Sequence, residues 1–163
     1  MDSQEFIARY AGIYEHSPWV AEQVAGLAAD AVDDTDAMAR LMADVVDNAD
    51  EEQQLALIRA HPDLADKAQV VDELTPDSKA EQMSAGLHEC SRVEYERFQA
   101  LNEAYKEKFG FPFVMAVRGS NCDEILSEFS RRLRNDYDVE FESALAEIHK
   151  IARFRLEALE EDA

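Results

Sequence analysis

The sequence has 163 residues, 47% of them hydrophobic, and its 36 acidic residues outnumber 16 basic ones, which gives a formal net charge of −20. This length and hydrophobic content suit one compact globular domain, so we expect a single domain over residues 1–163. The charge argues against nucleic acid and anionic membrane surfaces as partners, because their phosphate groups would be repelled. No apolar run approaches the roughly 18 residues that a membrane span needs.

The acidic residues are accompanied by few lysines, which are Lys67, Lys79, Lys106, Lys108 and Lys150. An acid-rich, lysine-poor surface suggests adaptation to a salt-rich cytoplasm, where ions screen the repulsion between like charges. An ordinary acidic protein is the alternative. The N-terminus shows no basic stretch followed by an apolar one, as a secretory signal would, so we expect a cytoplasmic protein.

The predicted elements are helices nearly throughout. Start signals occur in chain order at Ser17-Pro18, Asn48 with Glu51, Thr75-Pro76, Ser91 with Glu94, and Ser120 with Asp123. Each places a side-chain oxygen where it can accept a hydrogen bond from the first turn of a helix. Apolar residues then recur at helical spacing in three stripes: Phe98, Leu101, Ala104, Tyr105 and Phe109; Ile125, Phe129 and Leu133; and Phe141, Leu145, Ile148, Ala152, Leu156 and Leu159. The pattern predicts an all-α single compact domain of about seven or eight helices.

Residues 110–119 break the helical pattern. Gly110 is suited to end a helix in the left-handed conformation, and Pro112 forces Phe111 away from the α region. The stretch is apolar and aromatic, so we expect a buried, extended segment between helices. An extended backbone offers N–H and C=O groups that a helix would have used internally, and such groups can bind a polar ligand.

The two cysteines, Cys90 and Cys122, lie 32 positions apart with no metal-like spacing. We expect two buried or half-buried thiols rather than a disulfide, because a lone disulfide is unusual in a cytoplasmic protein. The four histidines, His16, His61, His88 and His149, show no HxxxH or HExxH spacing, so no metal site is predicted. No phosphate-binding loop or dinucleotide motif is present, and no cofactor is expected.

Three groups of polar residues are candidates for chemistry. His61 stands before Pro62 at a predicted chain reversal, where a side chain can face a cleft, although a surface or capping histidine is the simpler interpretation. Ser78, Glu81 and Gln82 share one helix face and together can surround a small polar ligand, although a solvated face fits the spacing equally well. Arg118 and Arg155 can each bind a carboxylate through two N–H groups, or form surface salt bridges. His88 lies seven residues beyond Glu81 and is interpreted as a surface or partly buried histidine.

Five segments in order resemble one family, the 2-oxo-4-hydroxy-4-carboxy-5-ureidoimidazoline (OHCU) decarboxylases. They are residues 15–22 (EHSPWVAE), 61–65 (HPDLA), 74–87 (LTPDSKAEQ followed by AGL at 85–87), 109–119 (FGFPFV followed by RG) and 151–156 (IARFRL). The resemblance covers nearly the whole chain. It implies an all-helical homodimer that converts a small-molecule substrate to (S)-allantoin in the last step of urate degradation, without metal or cofactor.

The resemblance also implies roles for individual residues. His61 and Glu81 correspond to catalytic positions, while Arg155 is expected to hold the anionic group of the substrate. The other substrate-binding positions that it implies are Pro62, Ser78, Gln82 and the segment Phe113, Val114, Met115, Ala116 and Val117. Two alternatives stay open from sequence: a lyase or hydrolase of a related ureido or imidazole compound, and a non-enzymatic acidic helical interaction module.

Overall fold

The computed structural model describes residues 2–27, 34–64, 75–87 and 90–161, and these ranges form eight helices and no strand. The all-α prediction and the predicted number of helices are therefore confirmed for the described chain. None of the described helices is both long and apolar enough to cross a membrane. The helices are α1 (Ser3–Tyr10), α2 (Trp19–Leu27), α3 (Thr35–Asp47), α4 (Glu51–Arg59), α5 (Pro76–Ser84), α6 (Arg92–Phe109), α7 (Cys122–Arg132) and α8 (Tyr137–Glu161).

Contacts along the chain divide it into two compact units. Unit 1 contains Met1–His61 and Leu145–Ala163, and unit 2 contains Pro62–Ala144. The boundaries fall between His61 and Pro62 and inside α8, so the first turns of α8 belong to unit 2 and the remainder to unit 1.

Unit 1 is built on an aliphatic core. Helix α1 packs on α2, and α2 packs on α3. The apolar faces of its helices meet at side chains that are almost completely buried: Val20, Val24, Met42, Val46, Leu57, Ile58 and Ile148. The buried end of α4 in this core holds the residues that precede His61.

Unit 2 has an aromatic core. Helix α6 packs against α7, and Tyr105 of α6 contacts the rings of Phe109, Phe111, Phe113 and Phe129. The rings of Phe113 and Phe129 stack with 3.9 Å between centroids and 9° between planes. Aromatic side chains thus anchor the segment 110–119, which is non-helical as predicted and is buried or half-buried at residues 111–117, with both of its ends exposed.

Three predicted helix boundaries are confirmed by their hydrogen bonds. Thr75 caps α5 and is followed by Pro76 in the first turn. Ser91 and Glu94 form a reciprocal capping box at α6, since each side chain accepts from the backbone N–H of the other residue. Gly110 ends α6 at φ 76°, a left-handed conformation that glycine adopts without steric cost.

The other three predicted helix starts differ from the structure. Two of them lie one or two residues from the residue that caps the helix, and the third residue, Ser17, makes a different hydrogen bond from the one predicted. Asp50, not Asn48, caps α4, and Asn48 instead ends α3. Asn121, not Ser120, caps α7. The hydroxyl of Ser17 donates to the carbonyl of Glu15 at 2.9 Å. For α4 and α7 a neighbouring residue is an equally good cap, and the packing of the helix decides which one is used.

The prediction of two free thiols is also wrong. Cys90 and Cys122 form a disulfide, with their Cα atoms 6.0 Å apart. Cys90 precedes α6 and Cys122 begins α7, so the return of the chain after α6 brings the two residues together. Their separation of 32 residues in sequence could not reveal this, because it depends on how α6 and α7 pack.

Candidate active site

His61 is a buried residue placed by the end of α4. The helix ends at Arg59, and the backbone N–H of His61 donates to the carbonyl of Ile58 at 3.2 Å. Only 8% of the residue is exposed. Its Nδ1 lies 2.9 Å from the carbonyl oxygen of Leu57. Because a carbonyl only accepts, Nδ1 carries the hydrogen, and in the neutral ring Nε2 carries the lone pair.

The protonation of His61 follows from this burial. Loss of water around the ring lowers its pKa from 6.5 to about 4, and the positive charge of Arg155 acts in the same direction. The hydrogen bond to Leu57 and the negative charge of Glu15 raise the pKa, but they do not offset the burial. His61 is therefore neutral at neutral pH and has one fixed tautomer.

Arg155 lies in unit 1 as well, on the buried face of α8. Arg155 does not form a surface salt bridge, since only 7% of the residue is exposed. Its Nη2 lies 3.2 Å from Oε2 of Glu15, and its Nη1 donates to the carbonyl of Gly12 at 3.2 Å. The guanidinium is thus fixed in a buried ion pair with a residue that our sequence analysis did not single out.

The turn around His16 places Glu15. His16 has φ 47° and is exposed, whereas its neighbours Glu15 and Ser17 are buried. A left-handed residue between them reverses the chain, so both neighbours point inward. The backbone N–H of Ser17 donates to the carbonyl of Tyr14 at 3.1 Å, and this hydrogen bond closes the turn. Non-glycine residues seldom adopt this conformation, and such strain is often found at functional sites.

In unit 2, α5 carries the predicted polar face. Ser78 is buried, and Glu81 and Gln82 are half-buried, so the three residues do lie on the side of α5 that faces the protein. The side-chain amide of Gln82 donates to the carbonyl of Asp63 at 3.5 Å. Gln82 is thereby linked to the short segment that begins with Pro62.

That segment, residues 62–64, is held from α6 too. Lys106 forms an ion pair with Asp63 at 2.6 Å. The side-chain amide of Asn102, which is buried, donates to the carbonyl of Leu64 at 3.0 Å. Pro62 is half-buried at the start of this segment.

The extended segment contains the remaining predicted residues. Phe113, Val114 and Val117 are buried, while Met115 and Ala116 are half-buried. The carbonyl of Val114 accepts a hydrogen bond from Nη1 of Arg132 at 2.7 Å, so the segment has a fixed backbone position.

Arg132 belongs to a buried polar network. Its guanidinium donates to Glu140, 2.9 Å away, and lies over the ring of Phe113 at 4.5 Å. Glu140 also accepts from the hydroxyl of Tyr105 and, at 2.8 Å, from the side-chain amide of Asn135. Burial, followed by this bond to the Glu140 carboxylate, raises the pKa of Tyr105, so its hydroxyl stays protonated and donates. The network positions the extended segment, and neither Arg132 nor Glu140 was identified from sequence.

The remaining candidates from the sequence are Arg118 and His88. Arg118 is exposed, and His88 lies outside the described residues. Within the described chain, Cys90, Glu94 and Cys122 are close enough to share a metal ion, but the two sulfur atoms are bonded to each other. A cleft of about 320 Å³ in unit 1 is lined by residues of α2, α3 and the start of α4, and none of the predicted site residues lines it.

Comparison with known proteins decides the family. The family model described as OHCU decarboxylase matches residues 1–157. The chain belongs to the OHCU decarboxylase family. The 2-oxo-4-hydroxy-4-carboxy-5-ureidoimidazoline decarboxylase of Haloferax volcanii is 45% identical over 156 residues, which cover 96% of this chain and 89% of that protein. The protein of the same name from Halalkalicoccus jeotgali is 39% identical over 158 residues, covering 97% and 86%.

A solved structure of the OHCU decarboxylase fold agrees with the helical architecture. The crystal structure of (S)-allantoin synthase superposes with a TM-score of 0.79 at 32% identity. The match covers 98% of this chain, which spans about half of the crystallised chain, 51%.

In this OHCU decarboxylase family member, the predicted residues fall into two sets. Unit 1 holds His61 and Arg155, joined by the newly found Glu15. Unit 2 holds Pro62, the α5 face and the segment 113–117. A signal for Arg155 and Glu140 did exist in the sequence, because both are charged residues on the buried stripe of α8 that includes Ala144, Ile148 and Ala152. Glu15 lies in a non-helical turn, where no periodicity marks buried positions.

Proposed function

We propose that this protein decarboxylates OHCU to (S)-allantoin, as the last step of urate degradation, without a metal ion or organic cofactor. Membership of the OHCU decarboxylase family supports the reaction. The observation that carries the proposal is the buried His61, neutral and held in a single tautomer. The proposal treats residues 1–163 as one functional domain.

The substrate contains its own electron sink. In OHCU one ring carbon bears the carboxylate and the hydroxyl, and the next, which bears the ureido group, forms a double bond to a ring nitrogen. When the bond to the carboxylate breaks, CO₂ leaves, and the electron pair of the broken bond forms a double bond between the two ring carbons. The imine pair moves to the ring nitrogen, which takes up a proton. Loss of the hydroxyl proton and addition of a proton to the ureido-bearing carbon then give allantoin, with the (S) form requiring protonation on one face.

In this scheme His61 acts on the hydroxyl group. Because Nδ1 is committed to Leu57, Nε2 is the atom that accepts the hydroxyl proton. The low pKa of about 4 means that the protonated ring gives the proton up readily, so His61 returns to its neutral form after each cycle. A positioned base of this kind typically contributes about 10²- to 10⁴-fold in rate.

The other roles follow the chemistry of each group. Arg155 holds the anionic carboxylate, since a guanidinium fixed at two points presents its N–H groups in a set direction. Glu81 accepts a hydrogen bond from the hydroxyl or a ring N–H. Ser78 and Gln82 bind polar groups of the ring or ureido group, with Pro62 beside them. The backbone of residues 113–117 supplies N–H and C=O groups because it is not helical.

The test is a coupled assay in molar salt. Urate oxidase and hydroxyisourate hydrolase generate OHCU in situ, and circular dichroism follows the formation of optically active allantoin. We expect rapid formation of (S)-allantoin by the wild type and a loss of about 10²- to 10⁴-fold in His61→Asn and of at least 10-fold in Glu81→Ala. His149→Asn and Glu96→Ala are matched controls that remove the same groups elsewhere and should keep full activity. Slow, racemic allantoin at the uncatalysed rate from folded wild-type protein would exclude the decarboxylase.

We also propose that the protein is a cytoplasmic homodimer adapted to high salt. The family resemblance supports the dimer, and the charge of −20 supports salt adaptation. Light scattering in molar salt should give twice the mass of one chain. A mass equal to that of one chain at micromolar concentration would contradict the dimer.

A further inference from the structure

We infer that Glu15 is a positioning residue, whose carboxylate holds the guanidinium group of Arg155 in a fixed orientation in the vicinity of His61. The inference rests on the proposed function, in which Arg155 binds the carboxylate of the substrate. Glu15 itself is not assigned a contact with the substrate. It acts through the direction in which Arg155 presents its N–H groups.

The geometry supports a fixed orientation rather than a loose ion pair. The side chains of Arg155 and Glu15 are 5% and 1% exposed, so bulk water does not compete for their bond. The guanidinium is planar, and its two separate bonds to Glu15 and Gly12 define that plane. Removing the bond to Glu15 would take away the charged contact that fixes one side of this plane.

The turn that places Glu15 supports a function beyond folding. Glu15 is brought inward by the left-handed conformation of His16, which costs free energy in a non-glycine residue. The turn also buries Ser17, whose hydroxyl donates to the Glu15 carbonyl. The strained turn is thus part of what brings the Glu15 carboxylate to Arg155.

The charges of Glu15 and Arg155 also support the positioning role of Glu15. Arg155 alone would add a buried positive charge close enough to His61 to make the ring harder to protonate. Glu15 opposes this effect, since its charge raises the pKa of His61 while that of Arg155 lowers it. Glu15 therefore offsets the effect of the buried cation on proton uptake by the histidine.

The experiment compares Glu15→Gln and Glu15→Asp with the wild type in the coupled assay. Glu15→Gln keeps the shape and removes the charge, and we expect KM for OHCU to rise about 10- to 100-fold with a smaller fall in kcat. Glu15→Asp keeps the charge with a shorter reach and should recover part of the loss. Glu157→Gln is the matched control: it removes the same charge from the exposed pair with Arg153 on α8 and should leave KM unchanged.

A second measurement does not depend on activity. NMR titration of the histidine ring signals, with His61 assigned from the spectrum of His61→Asn, gives the midpoint of its protonation. In Glu15→Gln the midpoint should move to lower pH, because the group that favours protonation is gone. This shift reports the charge coupling alone, whereas a merely structural ion pair would lower stability without changing the ratio of KM to kcat.

The outcomes separate the two proposals. Wild-type KM in folded Glu15→Gln would overturn the positioning role, whether or not the His61 midpoint moves. An inactive wild type with a shifted His61 midpoint in Glu15→Gln would instead remove the decarboxylase proposal and keep the coupling between Glu15 and His61. If Glu15→Gln does not fold, Glu15→Asp decides, and an unchanged KM in that variant would overturn the inference.

Discussion

Replacing His61 by asparagine should remove about 3 kcal/mol of the stability that the fold loses between pH 6.5 and pH 4. The folded-state pKa of His61 is lowered by burial from 6.5 to about 4. Between these two values the unfolded chain binds a proton at this residue and the folded chain does not, so stability falls as the pH decreases through this window. Above pH 6.5 both states are neutral and the residue contributes no pH dependence. Each unit of pKa difference corresponds to about 1.4 kcal/mol, so the loss by pH 4 is about 3 kcal/mol.

Asparagine does not titrate, so His61→Asn should lack this component while the carboxylates titrate as before. Urea unfolding followed by far-UV circular dichroism, at constant molar salt between neutral pH and pH 4, gives the free energy of unfolding of both proteins. Between neutral pH and pH 4 the free energy of unfolding of the wild type should fall by about 3 kcal/mol more than that of His61→Asn. Parallel loss of stability in wild type and His61→Asn would refute the burial argument for a neutral His61.

Two further predictions concern stability. Reduction of the Cys90–Cys122 disulfide should lower the free energy of unfolding by about 3–4 kcal/mol, because it releases a loop of about 32 residues in the unfolded state. Urea unfolding with and without reductant measures this change. An unchanged urea midpoint would mean that the bond does not form in solution. The melting temperature should rise between low and molar salt as repulsion at a net charge of −20 is screened, whereas a flat or falling melting temperature in a salt series would count against salt adaptation.

The helical architecture could be predicted because its signals are local. Ser91 with Glu94 satisfies two backbone N–H groups within one turn, and Gly110 supplies a conformation that few other residues adopt. Asn48 was misassigned because Asp50, two residues on, offers an equivalent side chain. The choice between two good caps depends on which register buries the apolar face of α4, and this is a property of the packed core.

The candidate site could be predicted only in part. The family motifs located His61, Glu81 and Arg155, but sequence could not show that His61 is buried with one nitrogen bonded to a carbonyl. Glu15 was read as part of a motif and given no role, because nothing in a turn distinguishes a buried carboxylate from an exposed one. Its partner Arg155 lies 140 residues away in sequence, and only the tertiary structure joins them.

The two buried arginines, Arg132 and Arg155, both donate to carbonyl groups of non-helical backbone. Buried backbone that is not helical has carbonyl groups without internal partners, and a donor must come from elsewhere. Arg132 supplies it to Val114, which is buried in the extended segment. Arg155 likewise donates to the carbonyl of Gly12, an exposed residue in the turn before Glu15. A buried guanidinium in turn requires a carboxylate, because an unpaired buried charge costs several kcal/mol. Glu140 of α8 meets this requirement for Arg132 in unit 2, and Glu15 meets it for Arg155 of α8 in unit 1. The ion pairs therefore add little net stability, and their effect is to fix the two non-helical segments on which the proposed chemistry depends.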